Sequence, residues 1–260
     1  MPYATTSDKN RIAYQVQGDG PALVLLSGQS NSHHWWDGVR EDFDQEHTTI
    51  SLDYRGCGDS DKPDVPYSTR GFAGDVLAVL DDLGVDRADV YGTSMGGRVA
   101  QWFAVDHPDR IGALVLGCTS PGGPHSIERD NAVRASLAKP GTREGRQALI
   151  DLMFTPDWSA AHHGRYTVLG DPRMPPYARK RHLLASNGHD AWDVLPDIAA
   201  PTLVLHGTDD LLNPTANAAL LGERIPDARV RLIEGARHGY FVQFREIAGA
   251  AVLEFLRETG

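Results

Sequence analysis

The residues best placed to do chemistry are Gly92-Thr93-Ser94-Met95-Gly96. They stand where the apolar run Ala88-Asp89-Val90-Tyr91 gives way to a helix-like stretch, Arg98 to Ala104. A serine flanked two residues away on each side by glycine suits a sharp strand-to-helix elbow, because side chains at those two positions would crowd the turn. Such an elbow lifts Ser94 above the end of the sheet and sets it before the free N–H groups of a helix start, where developing negative charge is favoured.

A serine hydroxyl attacks poorly near neutral pH unless a base takes its proton, and a histidine oriented by a carboxylate meets that need. Both partners are expected on other loops at the same end of the sheet. The run Thr202–Leu205 ends in His206-Gly207-Thr208-Asp209-Asp210, and the run Arg229–Ile233 ends in Glu234-Gly235-Ala236-Arg237-His238. An acid, Asp209 or Asp210, and a histidine, His238, therefore each follow a strand end, in the order Ser, Asp, His.

The elements that must position these groups alternate along the chain. Arg11–Val16 alternates polar and apolar residues and predicts a half-exposed edge strand. Strand-length runs recur at Ala22–Leu26, Thr48–Leu52, Ala88–Tyr91, Ile111–Leu116, Thr202–Leu205 and Arg229–Ile233, with amphipathic stretches at Thr69–Leu83 and Met95–Asp106. Unbroken apolar strands separated by helices imply an α/β fold with a mostly parallel sheet flanked by helices on both faces. The alternation lapses from Gly122 to Asp197, where helical patterns appear at Ser126–Ala138, Arg143–Phe154 and Tyr177–Ser186. That stretch holds ten Lys/Arg against nine Asp/Glu in a chain of net charge −10, and five of the eleven histidines. It reads as a helical lid, 122–197, inserted into a core made of 1–121 and 198–260.

The net charge of −10 argues against nucleic acid or an anionic membrane surface as partner. No apolar run is long enough to span a bilayer, and no signal peptide is visible, so the expected location is the cytoplasm. Cys57 and Cys118, the only cysteines, read as free thiols. His33-His34 and His162-His163 invite a metal reading, but adjacent side chains seldom converge on one ion and no matching ligand set accompanies them. No metal or other cofactor is expected.

With Leu25-Leu26-Ser27-Gly28-Gln29, Asp53-Tyr54-Arg55-Gly56-Cys57-Gly58-Asp59-Ser60-Asp61, the Ser94 elbow, Gly207-Thr208-Asp209-Asp210 and Gly235-Ala236-Arg237-His238 in this order, the chain resembles the α/β-hydrolase fold superfamily over essentially its full length. Within it, the chain is similar to the lid-bearing esterase, lactonase and perhydrolase-like branch. The resemblance implies Ser94 as nucleophile, His238 as general base and then acid, and Asp210, three residues after its glycine, as the orienting carboxylate. It implies an oxyanion hole from the backbone N–H groups of Gln29 and Met95, and a small-molecule ester or lactone as substrate. This chain has Ser27-Gly28 where the family usually has His-Gly, a departure that bears on the Gln29 loop. A diketone C–C hydrolase using the same three residues, or a receptor-like relative with negligible turnover, are the alternatives. Asp53 and Arg55 read as loop braces. Trp35 and Trp36 after the oxyanion loop, and Met153 and Trp158 in the lid, are candidates to wall the substrate pocket, with core packing the competing role for each.

Overall fold

The computed structural model describes residues 1–139, 141–162 and 166–260. Eight strands form one sheet: β1 (Tyr3–Thr5), β2 (Arg11–Gln17), β3 (Ala22–Leu26), β4 (Thr48–Leu52), β5 (Ala88–Thr93), β6 (Ile111–Gly117), β7 (Thr202–Gly207) and β8 (Ala228–Ile233). Their order is β1-β2-β4-β3-β5-β6-β7-β8. The β1–β2 and β2–β4 pairs are antiparallel and the rest are parallel. The sheet is mostly parallel, with helices packed on both faces, as the sequence implies.

Period-two alternation sorts the strand side chains into two cores. Val24, Leu26, Val90, Leu114, Leu116 and Val204 face one way, with Phe72, Val76, Val99 and Phe103. These four belong to the helices α1 (Thr69–Leu83) and α2 (Met95–Asp106). Leu23, Leu25, Tyr91, Val115, Leu203 and Leu205 face the other way, with Trp35, Trp36, Val252 and Phe255. Helix α1 starts where the Ser68 side chain accepts the Gly71 N–H at 2.9 Å, and stops at Gly84 in the left-handed region, φ 65°. Helix α2 gives out at His107, just before Pro108.

Between β6 and β7 lie α3 (Asn131–Ser136), α4 (Arg143–Met153), α5 (Pro156–Ala161) and α6 (Pro176–Asn187). No strand interrupts them among the described residues; a lone antiparallel bridge, Gly122 to Asp190, pinches the base of the excursion. The chain then closes with α7 (Ala216–Arg224), α8 (Tyr240–Gln243) and α9 (Arg245–Thr259), of which α9 lines the second core. Among the described residues no helix is long and apolar enough to cross a membrane.

Two expectations need correction. Arg11–Val16 is not an edge strand, because the three-residue β1, too short to show a period, pairs outside it. The helix expected over Ser126–Ala138 begins only at Asn131. Asn217 of α7 takes both backbone groups of Ile127, through Oδ1 at 2.9 Å and Nδ2 at 2.8 Å, and Asp130 caps the Val133 N–H at 2.8 Å.

The excursion is tied to the core by buried histidines. His182 of α6 donates from Nε2 to the Arg55 carbonyl at 2.8 Å, and burial pulls its pKa down to about 4. His189 bridges Thr69 and Gln101, and burial holds it well below its ordinary value too. Between pH 6.5 and about 4 the unfolded chain binds protons that the native state refuses, so stability rises with pH and is lost on acidification. His182 alone should remove about 3 kcal/mol across that window. Urea unfolding at pH 7, 5.5 and 4.5 checks this; a pH-independent unfolding free energy would show that these rings are not buried neutral.

Candidate active site

Ser94 sits at φ 56°, ψ −122°, a region that side-chain-bearing residues rarely adopt. Its N–H donates to the Gly117 carbonyl at 2.8 Å, and its own carbonyl accepts from Thr119 Oγ1 at 2.7 Å. A β-carbon on Gly92 would strike the Gly96 carbonyl, and one on Gly96 would strike the carbonyl of Leu26. Both glycines are therefore required by close backbone approach, and α2 starts flush against the end of β3. The serine side chain stays half-exposed, with no hydrogen-bond partner for Oγ among the described residues.

The loop after β8 brings His238 to Asp210, which follows β7: Nδ1 lies 2.7 Å from Oδ2. A carboxylate can only accept, so the ring proton sits on Nδ1 and Nε2 carries the lone pair a base needs. Asp210 Oδ1 accepts the N–H groups of Leu212 at 2.9 Å and Asn213 at 2.8 Å. Burial pushes the Asp210 carboxyl up, but His238 and His206 more than offset it and hold it below the usual carboxylate range. Asp209 is exposed and turned toward Thr208. The geometry thus joins Asp210, not its neighbour, to the histidine.

Met95 is the first residue of α2, and Gln29 stands in the loop after β3, the strand beside β5. Neither backbone N–H has an acceptor among the described residues. The sheet order reverses direction around β3, so the ends of β3 and β5 flank the switch point at which such sheets bind ligands. In place of a histidine, Ser27 braces the Gln29 loop through Oγ to the Asn31 carbonyl at 3.2 Å.

The proposed pocket residues divide. Trp35 is buried, donates from Nε1 to Thr93 at 2.8 Å and stacks on Phe241; Trp36 packs on Tyr91 and Phe241. Both belong to the core under the sheet's second face. Met153 is buried in that same core, and its carbonyl accepts the Gly239 N–H at 2.7 Å, beside His238. Trp158 is half-buried, against Phe154 and Tyr166. Asp53 accepts from the His33 N–H and ring at 2.7 and 2.9 Å and from the Asp59 N–H at 2.9 Å, while Arg55 pairs with Asp75 and Asp8. His34 pairs with Asp37, and His162 Nδ1 reaches the Trp158 carbonyl. His163 lies outside the described residues. No set of three or more His, Cys, Asp or Glu that could hold a metal occurs among the described residues. Cys57 and Cys118 are buried free thiols.

Two residues that the sequence does not single out brace this arrangement. His206, four residues before Asp210, sets Nε2 3.3 Å from Asp210 Oδ2 and 2.8 Å from the Asn213 carbonyl. Its spacing was the available signal, but a histidine inside an apolar strand run reads first as core. Thr119, which holds the Ser94 carbonyl, carried no signal at all.

A family model for the alpha/beta hydrolase fold matches residues 21–160. A Caulobacter segnis protein named "putative carbamate hydrolase RutD" is 30% identical over 97% of this chain and 98% of its own. The chain belongs to the α/β-hydrolase fold family. Among solved structures, Est816, described as an N-acyl homoserine lactone degrading enzyme, superposes with TM-score 0.82 at 27% identity, covering 98% of this chain and all of that one. The enol-lactonase of Burkholderia xenovorans LB400 gives TM-score 0.85 at 25% identity with the same coverage.

The two adjacent aspartates should separate cleanly by mutation. Asp210→Asn removes the acceptor that fixes the His238 tautomer and should lower kcat on the order of 10⁴-fold. Asp209→Asn, at an exposed side chain, should cost less than about threefold. Steady-state rates on an activated ester decide, and the reverse ranking would place the carboxylate role on Asp209.

Proposed function

We propose that this hydrolase cleaves a carboxylic ester or lactone through an acyl-enzyme, with Ser94 as nucleophile, His238 as base and acid, and Asp210 as orienting carboxylate. The observation that carries the reading is the 2.7 Å Asp210–His238 pair at the end of the sheet where the positive-φ Ser94 stands half-exposed. Ser94 Oγ attacks the carbonyl carbon as its proton passes to His238 Nε2. The oxygen that becomes negative is met by the N–H groups of Met95 and Gln29. Collapse expels the alcohol with the proton from His238, and water repeats the sequence to release the acid. No metal or cofactor is needed for any of these steps, and the substrate is a small molecule met in the cytoplasm.

The lactone side of the reading draws support from the two lactone-cleaving relatives in structure. A carbamate is a second reading, favoured by the full-length relative bearing that name, and the same residues would attack its carbonyl. Matched ester, lactone and carbamate panels rank the three.

Ser94→Ala should abolish turnover and fluorophosphonate labelling. Retention of a tenth of the wild-type kcat would end the assignment.

The helices of 122–197 act, in this reading, as a lid over the site, consistent with the backbone bonds from His238 and Gly239 to the carbonyls of Leu152 and Met153. Trp158→Ala should then shift the relative kcat/KM of short and bulky esters by roughly 1–3 kcal/mol while phosphonate labelling barely changes. Equal slowing of every ester would instead indicate a supporting role. Trp158 is the better probe, since Met153→Ala would open a core cavity costing about 2–5 kcal/mol in stability.

A further inference from the structure

The peptide next to Gln29 is gripped from outside its own loop. Ser30, a non-glycine at φ 61°, donates its N–H to His182 Nδ1 of α6 at 3.4 Å, and its carbonyl accepts the Asp171 N–H at 2.7 Å. Asn31 adds a third link: its Nδ2 donates to the Gln29 carbonyl at 2.9 Å, and its Oδ1 accepts the Gly170 N–H at 2.8 Å. The Ser30 peptide groups and the Asn31 side chain are thus held by residues 139 to 152 positions away, all from the excursion between β6 and β7, and Asn31 in turn holds the Gln29 carbonyl.

The grip is itself braced. The Arg55 carbonyl can only accept, so His182 carries its proton on Nε2 and presents a lone pair at Nδ1 to the Ser30 N–H. Burial keeps this ring neutral down to about pH 4, so Nδ1 stays an acceptor. Asp171 is fixed by its own carboxylate, which accepts the Gly58 N–H at 2.7 Å and the Arg173 N–H at 2.9 Å. Ser30 in the left-handed region would relax by rotating its flanking peptides, the first of which carries the Gln29 carbonyl, one residue from the Gln29 N–H.

We propose that His182, together with the Asp171 and Gly170 backbone, is a positioning element for the oxyanion hole. Through Ser30 and Asn31 it aims the Gln29 N–H at the oxygen that becomes negative, so that the inserted helices contribute to transition-state stabilisation without touching the substrate. The inference rests on the serine-hydrolase reading above.

The test compares full-length variants on an activated ester and on a trifluoromethyl ketone, which forms a tetrahedral adduct with the nucleophile. His182→Gln retains a donor toward Arg55 but loses the acceptor for Ser30. It should lower kcat by about 10- to 100-fold, less than the ~10²–10³-fold for deleting an oxyanion donor outright. KM and the midpoint of the pH profile should hold, and ketone affinity should fall by a similar factor. His182→Asn, which sets an acceptor where Nδ1 stands, should recover most of the loss. Asn31→Ala supplies an independent route to the same pattern should the His182 variants fold poorly. Wild-type kcat and ketone affinity in folded His182→Gln or Asn31→Ala, or no recovery in His182→Asn, would overturn the inference. Ester turnover that survives Ser94→Ala would instead overturn the serine-hydrolase reading itself.

Discussion

A serine held with positive φ between β5 and α2 is the constraint on which the rest of the structure turns. The conformation costs on the order of 1–3 kcal/mol and persists only because its surroundings determine it. The Ser94 N–H is tied to β6 through Gly117, and its carbonyl to Thr119 just beyond that strand. Gly92 and Gly96 let the backbones of β5, α2 and β3 approach within distances no β-carbon would allow. The same approach that relieves the elbow brings the start of α2 beside the Gln29 loop. The placement of Ser94 and that of the loop after β3 are one packing event, not two.

The second constraint is a buried carboxylate. An ion taken from water costs several kcal/mol unless its lone pairs are met, and Asp210 has four donors around it: two backbone N–H groups and two histidines. That arrangement keeps it ionised inside the protein and commits its Oδ2 edge to His238. His206 matters here because its Nε2, tethered to the Asn213 carbonyl, stands 3.3 Å from the same oxygen. Asp209, one residue earlier, is exposed and accepts from the Thr208 hydroxyl at 3.1 Å, with no such set around it among the described residues.

The strand ends that carry Ser94, Asp210 and His238 were legible because each combines a strong local pattern with its own turn glycine. The parallel sheet was legible for the same reason, since strands covered on both faces leave unbroken apolar runs. What was not legible depends on partners far along the chain. The late start of α3 is dictated by Asn217, some 90 residues on, and the edge role of β1 by pairing rather than by any period in three residues. The Trp35–Trp36 pair illustrates the limit from the other direction. Position after the β3 loop left pocket wall and core packing equally open, and Gly28 leaves room for the Trp35 ring to turn under the loop and join the core.

Two of the excursion's five histidines, His182 and His189, do a task at the junction with the core that a charged side chain could not. Gln101 donates its amide to the Ser120 carbonyl, so its oxygen faces His189 Nε2, which must carry the proton, and Nδ1 accepts from Thr69. His182 adopts the same tautomer between Arg55 and Ser30. A neutral imidazole is a rigid donor–acceptor pair whose two nitrogens point in different directions, so it can bridge two backbones in a dry interface with no counter-ion. A lysine or arginine there would bring an uncompensated buried charge, and an aliphatic side chain would strand polar groups on both sides. Docking of the excursion is therefore directional as well as apolar. That directionality lets helices carrying no candidate catalytic group bear on the orientation of a single peptide beside Ser94.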